Sequence, residues 1–411
     1  MAMRRLEIGQ RSETVRRSNL SAIVRELHVR GSLSRSELVA TTGLTRSAIR
    51  SLIGEFVSAG VMSEDRAGPA GTPGRPSSVV RLIPRSATVL AFEIAVDSLA
   101  AAVVGLGGEV QASIRVDRPR GHSSVDDIVA DLAELERRVL ARTRPTEPVI
   151  GVGVAVVGVV RRLDGLVTMA PNLGWRDIPL GERLARGIRS RGPVAVGNEA
   201  DLGVLAEHRR GAAVGADDVL FISGEVGVGG GIIVDGRPLT GAAGYGGEVG
   251  HMPLNPAGVP CRCGSTGCWE TEVGEEALLV RAGRSRDGGR VEIAAVLQDA
   301  AAGAPAALAA LDGVGRWLGR GLAGLVNVFD PELIVLGGLF GLIHPYVRAT
   351  VDRELERLAL PASRRLVRVV PARLGVDAAL LGAAELALEP FLADPAEWLR
   401  DREALAGQRI A

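Results

Sequence analysis

Apolar side chains recur at helical spacing near the start of the chain and predict three helices, the last two joined by a short turn. The first helix spans residues 14–30. Ser34 and Glu37 have the spacing of a capping box at the start of the second helix. Thr45 caps the third helix, which runs through Val57. Two short helices joined by a glycine-containing turn are the signature of a helix-turn-helix.

Two alternating segments follow and predict a wing, which is a pair of short β-strands beside the helix-turn-helix. They comprise residues 61–64 and 78–83 and enclose residues 68–76, which are rich in Gly and Pro and carry one charge, Arg75. The Gly-Arg-Pro sequence around Arg75 is either a proline-stiffened linker or an extended segment that places the guanidinium in a narrow A·T minor groove. We therefore expect an N-terminal α+β winged-helix domain.

Strand and helix patterns alternate from residue 88 onward and predict an α/β body of two lobes. A continuous apolar run at residues 149–157 is typical of a strand buried on both faces. Helices are expected at residues 199–210 and 376–388, and the latter is expected to pack on the first lobe. The predicted division is 1–85 for the winged-helix domain with its linker, 86–198 for the first lobe, 199–390 for the second lobe and 391–411 for a charged tail, expected to be a surface helix or frayed.

Charge is distributed unevenly along this chain of 411 residues, whose formal net charge is zero. The first 90 residues hold 14 Arg against 7 Asp and Glu, whereas the remainder holds 34 Arg against 41. A basic N-terminal part on an acidic body indicates a nucleic-acid contact at that end. All 48 basic residues are Arg, which excludes a lysine Schiff base and a lysine-dependent phosphate loop.

The start of the third predicted helix holds the side chains expected to meet DNA. In a helix-turn-helix, the N-terminal residues of the second helix reach base edges in the major groove, where Arg pairs with guanine. Hydroxyl groups and helix N-termini suit phosphates. The expected DNA-contacting residues are Ser34, Thr45, Arg46, Ser47, Arg50 and Arg75, with Arg16, Arg17 and Arg30 as further phosphate contacts. A domain with a charged surface that binds another protein is the alternative.

The sequence predicts a cytoplasmic protein with no membrane partner. Residues 1–10 contain no apolar core of a signal peptide. The longest apolar run, residues 149–160, is well short of the ~20 residues of a membrane span. In such a chain, an odd and clustered set of cysteines indicates metal binding rather than disulfides.

One histidine and three cysteines have the spacing of a zinc site. His251 is followed by Cys261, Cys263 and Cys268, within the sequence Cys-Arg-Cys-Gly-Ser-Thr-Gly-Cys. One imidazole and three thiolates form a tetrahedral zinc set, and because the protein fills all four positions, we expect a structural Zn²⁺. Three buried free thiols are the alternative.

Polar residues that suit a sugar surround a glycine-rich run at residues 223–231. That run contains Glu225 and predicts either a phosphate-binding loop or a hairpin with several positive φ angles. Carboxylates and amides in a cleft suit a sugar because they form hydrogen bonds with adjacent hydroxyl groups. The candidates, which spacing alone does not assemble into one site, are Asn172, Asn198, Glu199, Glu248, His251 and Glu270.

These motifs resemble those of the ROK family (repressor, open reading frame, kinase) over residues 14–390. The most specific is Glu248-Val-Gly-His251, followed at matching spacing by the three cysteines and Glu270. Further matches are Pro171-Asn172-Leu173, Asn198-Glu199-Ala200 and Leu336-Gly337-Gly338. The winged helix with its Gly-Arg-Pro linker is similar to the regulator branch of the family.

The resemblance implies a two-lobed actin-like ATPase fold of the ribonuclease H type, with a sugar in the cleft between the lobes. It implies that the candidates other than Glu199 contact this sugar, and it places Glu199 at the position of the kinases' catalytic base. It also implies that His251 offers one ring nitrogen to zinc and the other to the sugar. Zinc would then fix the geometry of the sugar pocket.

Three positions depart from the pattern of the family's kinases. The kinases carry Asp-x-Gly-Gly-Thr on the first strand, where this chain has Glu93-Ile-Ala-Val-Asp97. The glycines that let backbone N–H groups approach phosphate are absent, and the Asp adds repulsion. The kinases' base is an Asp, whereas Glu199 reaches about one methylene further, and a misplacement of ~1 Å costs ~10²-fold in rate. Val157-Gly158 lacks the Pro of the family's Pro-Gly turn.

Together these patterns predict a sugar-responsive DNA-binding transcriptional regulator, a repressor of carbohydrate-utilisation genes. It is expected to act on operator DNA as a homodimer or homotetramer, with a sugar or sugar phosphate as effector. Zinc is expected and ATP is not, because phosphoryl transfer is expected to be lost, with Glu199 as a vestige of the base. The alternative is an ATP-dependent, glucokinase-like sugar kinase.

Overall fold

The computed structural model describes residues 12–66, 78–121, 124–144 and 148–400. Within these ranges the chain forms a small N-terminal domain and two larger lobes, each lobe built on a five-stranded sheet. Arg75 and its Gly-Arg-Pro sequence lie outside the described residues, so a minor-groove contact there stays a prediction.

The N-terminal domain contains three helices and a three-stranded sheet, namely α1 (Ser12–Arg30), β1 (Ser32–Ser34), α2 (Arg35–Thr42), α3 (Arg46–Ser58), β2 (Met62–Arg66) and β3 (Ser78–Leu82). The predicted capping box forms, because the Ser34 hydroxyl accepts from the Glu37 N–H and the Glu37 carboxylate accepts from the Ser34 N–H at 2.6 Å. Gly43, with φ of 70°, ends α2 in the left-handed conformation. The sheet has the order β1-β3-β2, and β1 was not predicted.

The first lobe comprises β4 (Thr88–Ile94), β5 (Ser98–Gly105), β6 (Val110–Asp117), α4 (Val125–Thr143), β7 (Val149–Val156), β8 (Val159–Arg161), β9 (Leu166–Ala170), β10 (Trp175–Pro179), α5 (Leu180–Gly187) and β11 (Val194–Asn198). Its main sheet has the order β11-β7-β4-β5-β6. β4, β5 and β6 form an antiparallel meander, and β7 and β11 add in parallel. The small sheet of β8–β10 and the helix α5 were not predicted.

The second lobe comprises α6 (Glu199–Arg210), β12 (Val219–Gly224), β13 (Val228–Val234), β14 (Arg237–Pro238), α7 (Glu270–Val273), α8 (Glu275–Arg281), α9 (Gly289–Ala301), α10 (Pro305–Phe329), β15 (Leu333–Gly337), α11 (Gly338–Leu358), α12 (Pro361–Leu366), β16 (Arg368–Pro371) and α13 (Ala378–Ala393). Its sheet, in the order β14-β13-β12-β15-β16, repeats the plan of an antiparallel hairpin extended by parallel strands. α11 begins at Gly338 rather than at the predicted Pro345, which lies inside the helix.

Helices α6 and α13 pack against each other and join the two lobes. α13 also packs on β4 and β7 of the first lobe, while α6 packs on β12 and β13 of the second. The contacts are close enough to require glycine: a Cβ on Gly153 would lie 1.8 Å from the carbonyl oxygen of Ala383, and one on Gly382 would lie 1.9 Å from that of Leu202. A rotation of one lobe against the other must therefore involve this pair of helices.

The end of the chain differs from the charged surface tail expected from residue 391. The described residues 391–400 are helical apart from Asp394. Ala396 and Leu399 are buried in the same apolar cluster as Leu20 of α1. A helix therefore forms, as one of the two expectations had it, but it is not wholly on the surface. Its charged positions are interspersed with apolar ones, and the apolar side packs against the N-terminal domain.

No single helix in the described ranges is long and apolar enough to cross a membrane. Only α9 and α10 taken together, with a bend of 110° between them, reach that length and hydropathy. The apolar face of α10 is buried against α11 and α8, which accounts for its composition.

Candidate functional site

A cavity of about 820 Å³ lies between the two lobes and gathers all six polar residues predicted to contact a sugar. The first lobe contributes Asn172, on the connection between β9 and β10, and Asn198, the last residue of β11. The second lobe contributes the other four, which are Glu199 at the start of α6, Glu248 and His251 around a short 3₁₀ turn, and Glu270 at the start of α7. The fold thus brings together residues that spacing alone did not.

Asn198 has a structural task as well as a place in the cavity. Its side-chain oxygen caps α6 by accepting from the N–H of Ala200 at 2.7 Å. Its amide nitrogen donates to the carbonyl oxygen of Gly158 at 2.9 Å. Gly158 adopts φ of 114°, and a Cβ there would lie 2.5 Å from the carbonyl oxygen of Met169, which accounts for the glycine. Asn198 therefore fixes the start of α6 to the first lobe.

Five carboxyl groups make the inner part of the cavity and its surroundings acidic. Burial and the neighbouring Glu225 raise the pKa of Glu199 well above its usual value. Burial, with a contribution from Glu93, raises the pKa of Glu225 to about 7. Burial and Glu248 raise the pKa of Asp201 to about 7. Sequence analysis noted Glu225 but did not place it in the site, and only the fold reveals that it faces Glu199.

The four predicted metal ligands lie together. One ligand atom from each of His251, Cys261, Cys263 and Cys268 lies within 4.8 Å of all the others. The Cys263 and Cys268 sulfurs are 3.6 Å apart, and the Cys261 sulfur is 3.8 Å from Nδ1 of His251. A tetrahedron with Zn–S bonds of ~2.3 Å has edges of roughly 3.8 Å, so the donor set fits a tetrahedral ion.

Tight turns place the thiols. Gly264 and Gly267 adopt φ of 96° and 70°. A Cβ on Gly267 would lie 1.7 Å from the carbonyl oxygen of Asn255, so a larger residue at that position would push the loop apart. The Cys261 thiol donates to Glu270 at 2.9 Å, and burial raises its pKa, so metal binding must displace this proton.

His251 connects the metal cluster to the cavity. Its Nδ1 faces Cys261, whereas its Nε2 lies 3.9 Å from the Glu248 carboxylate on the cavity side. Between Cys261 and Cys263, Arg262 donates to the side-chain oxygen of Asn172 at 2.5 Å. The cysteine loop of the second lobe thus lies against His251 through Cys261 and holds Asn172, a cavity residue of the first lobe, through Arg262.

Residues 93–97, which the sequence resemblance aligns with the kinases' phosphate loop, form ion pairs. Glu93 is buried and receives two hydrogen bonds from Arg115, at 3.1 and 2.9 Å. Asp97 accepts from Arg120 at 3.0 Å and from Arg290 at 2.7 Å. The guanidinium groups near this loop are therefore paired with protein carboxylates.

Some of these ion pairs cross the cleft. Arg120, in the first lobe, also donates to Glu275 at the start of α8 at 3.0 Å. Arg290 reaches Asp97 from α9 of the second lobe. These contacts hold the two lobes together beside residues 93–97.

The residues predicted to contact DNA bases lie on the exposed start of α3. Arg46 and Arg50 are exposed, and within the described part of the chain neither has an ion-pair partner. Ser47 is exposed beside them, and the Thr45 hydroxyl caps the helix. Ser34 lies at the start of α2, where its hydroxyl oxygen is occupied by the capping box.

The three arginines predicted to add phosphate contacts all form ion pairs within the chain. Arg16 pairs with Glu55 of α3, and Arg17 pairs with Asp394 near the end of the chain. Arg30 pairs at 3.0 Å with a glutamate one turn earlier on α1. These contacts attach α1 to its neighbours, and phosphate contacts by the three arginines stay a prediction. Arg46 and Arg50 are the predicted DNA-contacting arginines with no such partner among the described residues.

Comparison with known proteins separates two groups of relatives. The sequence profile of the ROK family matches residues 89–390. The xylose repressor of Bacillus spizizenii is 27% identical over 382 residues, which cover 92% of this chain and 97% of that protein. The glucokinase of Streptomyces coelicolor is 31% identical over 319 residues, which cover 73% of this chain and 98% of that protein.

Solved structures fall into the same two groups. A ROK family transcriptional regulator, a homologue of the Escherichia coli MLC protein, is similar with a TM-score of 0.75 and 25% identity, covering 94% of this chain and 98% of that one. A ROK family glucokinase from Streptomyces griseus, in complex with glucose and AMPPNP, has a TM-score of 0.63 and 31% identity, covering 74% of this chain and 99% of that one. The expected two-lobed actin-like ATPase fold is confirmed. The chain belongs to the ROK family.

Proposed function

We propose that this protein is a DNA-binding transcriptional regulator that responds to a sugar, and that it represses genes of carbohydrate use in the cytoplasm. One observation carries this proposal above all. The match to a glucokinase covers 98% of the kinase but only 73% of this chain, whereas the match to a xylose repressor covers 92% of this chain. The part that only the repressor match covers includes the N-terminal domain, where Arg46 and Arg50 at the start of α3 are exposed and have no ion-pair partner among the described residues.

Its DNA contact is proposed to use α3 in the major groove. A dimer would place two such helices about one DNA turn, ~34 Å, apart. The test is fluorescence anisotropy with the duplex upstream of the protein's own gene and a scrambled duplex, at one fixed salt concentration because phosphate contacts make affinity salt-dependent. Preference for the native duplex supports the proposal, and equal affinities for both would contradict an operator at that site.

The cavity between the lobes is proposed to bind the effector, and a zinc ion is proposed to shape it. When bound, zinc supplies a rigid tetrahedral centre that orients the His251 ring. The Nε2 atom of that ring and the Glu248 carboxylate then face a sugar from one side, with Asn172 on the other. Such paired acceptors and donors suit the neighbouring hydroxyl groups of a sugar ring.

We further propose that the effector is a neutral sugar rather than a sugar phosphate. Glu199 stands at the kinases' base position, so the hydroxyl that those enzymes phosphorylate would lie beside it. A phosphate on that hydroxyl would meet Glu199 and Glu225, while the arginines nearest the phosphate loop are already paired with Glu93 and Asp97. Juxtaposed like charges cost several kcal/mol.

Isothermal titration at pH 8 is therefore expected to give at least ~10-fold weaker binding for glucose 6-phosphate than for whichever of D-glucose and D-xylose binds more tightly. At this pH the Glu225 carboxyl, whose pKa lies at about 7, is mostly charged. Glu225→Gln is expected to narrow the difference between phosphate and free sugar. Tighter binding of the phosphate ester to the wild-type protein would contradict this part of the proposal.

An ATP-dependent sugar kinase is the second candidate, favoured by Glu199 in the cavity beside an otherwise complete set of sugar-contacting residues. The acids at residues 93 and 97 oppose it, because they add negative charge where a triphosphate would bind and already pair with Arg115 and Arg290. A coupled assay with ATP, magnesium and a panel of hexoses and pentoses separates the two. Turnover that Glu199→Gln abolishes would establish the kinase.

A further inference from the structure

Helix α6 connects the cavity directly to the N-terminal domain. Its first residue, Glu199, lines the cavity, and Asn198 caps it there. Its last two residues, Arg209 and Arg210, lie at the far end, 12 residues or about 18 Å along the helix axis. The helix is therefore a single rigid element with one end at the proposed effector and the other away from it.

Arg210 bonds the far end of α6 to groups outside its own lobe. Its guanidinium donates to the backbone carbonyl oxygens of His28, at 3.2 Å, and of Gly107. It also contacts the His28 ring and donates to the Glu385 carboxylate of α13. His28 belongs to α1, the first helix of the N-terminal domain, so one side chain joins α6 to that domain.

Glu385 is the centre of this junction. It is 1% exposed and accepts from Arg209 at 2.8 Å as well as from Arg210. The Nε2 atom of His28, which is equally buried, lies 3.0 Å from it, and Nδ1 of His28 accepts from the Gly107 N–H at 3.0 Å. Although burial opposes ionisation, His28 and the two arginines hold the pKa of Glu385 well below its usual range.

The buried charges make the junction resistant to gradual deformation. A buried carboxylate that loses a partner costs several kcal/mol, so displacement of the arginines must either carry α1 and α13 along or break the junction as a unit. Two further hydrogen bonds outside this junction attach α1 to residues 389–392. Ser21 donates to the carbonyl oxygen of Leu392 at 2.6 Å, and Arg25 donates to Glu389 at 3.2 Å.

α1 is in turn packed inside the N-terminal domain. Leu20 and Val24 of α1 share an apolar cluster with Ile49 and Phe56 of α3, the helix proposed to enter the DNA groove. A shift of α1 therefore moves α3 as well, because packed helices are displaced as units.

We propose that α6 transmits the effector signal, with Arg209, Arg210, Glu385 and His28 as the junction that passes a movement of α6 to the DNA-binding domain. This inference rests on the proposed function and specifies its regulation. Closure of the cavity on a sugar displaces the start of α6, the helix shifts along its axis, and the junction tilts α1 and α3. In a dimer, the tilt changes the spacing of the two α3 helices on DNA.

The test measures coupling rather than binding alone. DNA affinity is determined by anisotropy with and without saturating D-xylose, and with D-glucose in parallel, for the wild-type protein and for Arg210→Gln. For the wild-type protein, the ratio of DNA affinity without sugar to DNA affinity with sugar is expected within the usual 5–150-fold range of allosteric coupling. In Arg210→Gln the ratio is expected to fall below about 2-fold, while the DNA-free protein keeps its sugar affinity.

Arg137→Gln is the matched control, because Arg137 is an exposed arginine of α4 whose partner, Glu134, lies one turn away on the same helix. It should keep the wild-type ratio. If sugar changes the DNA affinity of the wild-type protein and of Arg210→Gln by the same factor, the proposed role of the junction is wrong. A wild-type protein that binds its duplex without any sugar response would instead contradict the proposed function itself, and this inference with it.

Hydrogen–deuterium exchange on the wild-type protein decides the case even if Arg210→Gln does not fold. Sugar is expected to change amide exchange both in residues 199–210 and in residues 20–30, with no change in α4. A change confined to the cavity, with α1 unaffected, would contradict transmission through α6.

Discussion

Replacing Cys263 by serine is expected to remove the zinc ion and the sugar response together. A serine hydroxyl does not offer the thiolate that a tetrahedral zinc site requires, and the remaining three donors are a weaker set. Without the metal, the His251 ring loses the bond that orients it towards Glu248. Loss of a group that orients a binding residue typically costs 10–100-fold, and we expect sugar affinity to fall by that factor.

Zinc content by mass spectrometry and sugar affinity by calorimetry check this prediction. Ser265→Ala is the matched control, because Ser265 lies in the same loop and accepts from the Cys261 N–H through its backbone rather than its side chain. Zinc lost with sugar affinity retained would refute the role of the metal in shaping the cavity. Full zinc occupancy in the Cys263→Ser protein would refute the ligand set.

Replacing Arg46 and Arg50 together by alanine is expected to abolish specific DNA binding while leaving sugar binding intact. Each arginine that reads a base pair contributes ~1–3 kcal/mol of discrimination, so each single substitution should weaken operator binding roughly 5–150-fold. Both side chains are exposed and unpaired among the described residues, so their removal should not unfold the domain.

The measurement is anisotropy on the native and scrambled duplexes at one salt concentration, with calorimetry for sugar. Arg137→Ala, on α4 of the first lobe, removes the same charge away from the proposed DNA face and should bind as the wild type does. Unchanged operator affinity in the double variant would show that α3 is not the recognition element.

Local signals made the helices of the N-terminal domain predictable. The capping box at Ser34 and the left-handed turn at Gly43 depend on residues within a few positions of each other, and both form as expected. Helix α6 has the predicted bounds, residues 199–210, and the structure shows Asn198 as its N-cap. The start of α11 was missed because Pro345, which usually marks a helix start, is tolerated inside this helix.

The metal cluster was predictable and the acidic interior of the cavity was not. The four ligands lie within 18 residues, so their spacing in sequence limits their distance in space. Glu225 and Glu199 come from different elements that meet only when the sheet of the second lobe and α6 are assembled. Pairing of Asp97 likewise depends on Arg290, which lies 193 residues further along the chain.

The ion pairs that attach helix α1 of the N-terminal domain to the rest of the chain could not be predicted from the sequence either. Arg17 was predicted to contact phosphate and lies against Asp394, and its neighbour on the helix, Arg25, lies against Glu389. Those partners come from the last described part of the chain, and no local pattern connects them. Long-range ion pairs of this kind become visible only in the folded structure.

The most direct test of the central claim is the affinity of the full chain for its own upstream duplex with and without D-xylose or D-glucose. At fixed salt, we expect specific binding to the duplex that one free sugar weakens by 5–150-fold. Binding no tighter than to a scrambled duplex, or specific binding that no free sugar changes, would contradict a sugar-responsive regulator acting at this site.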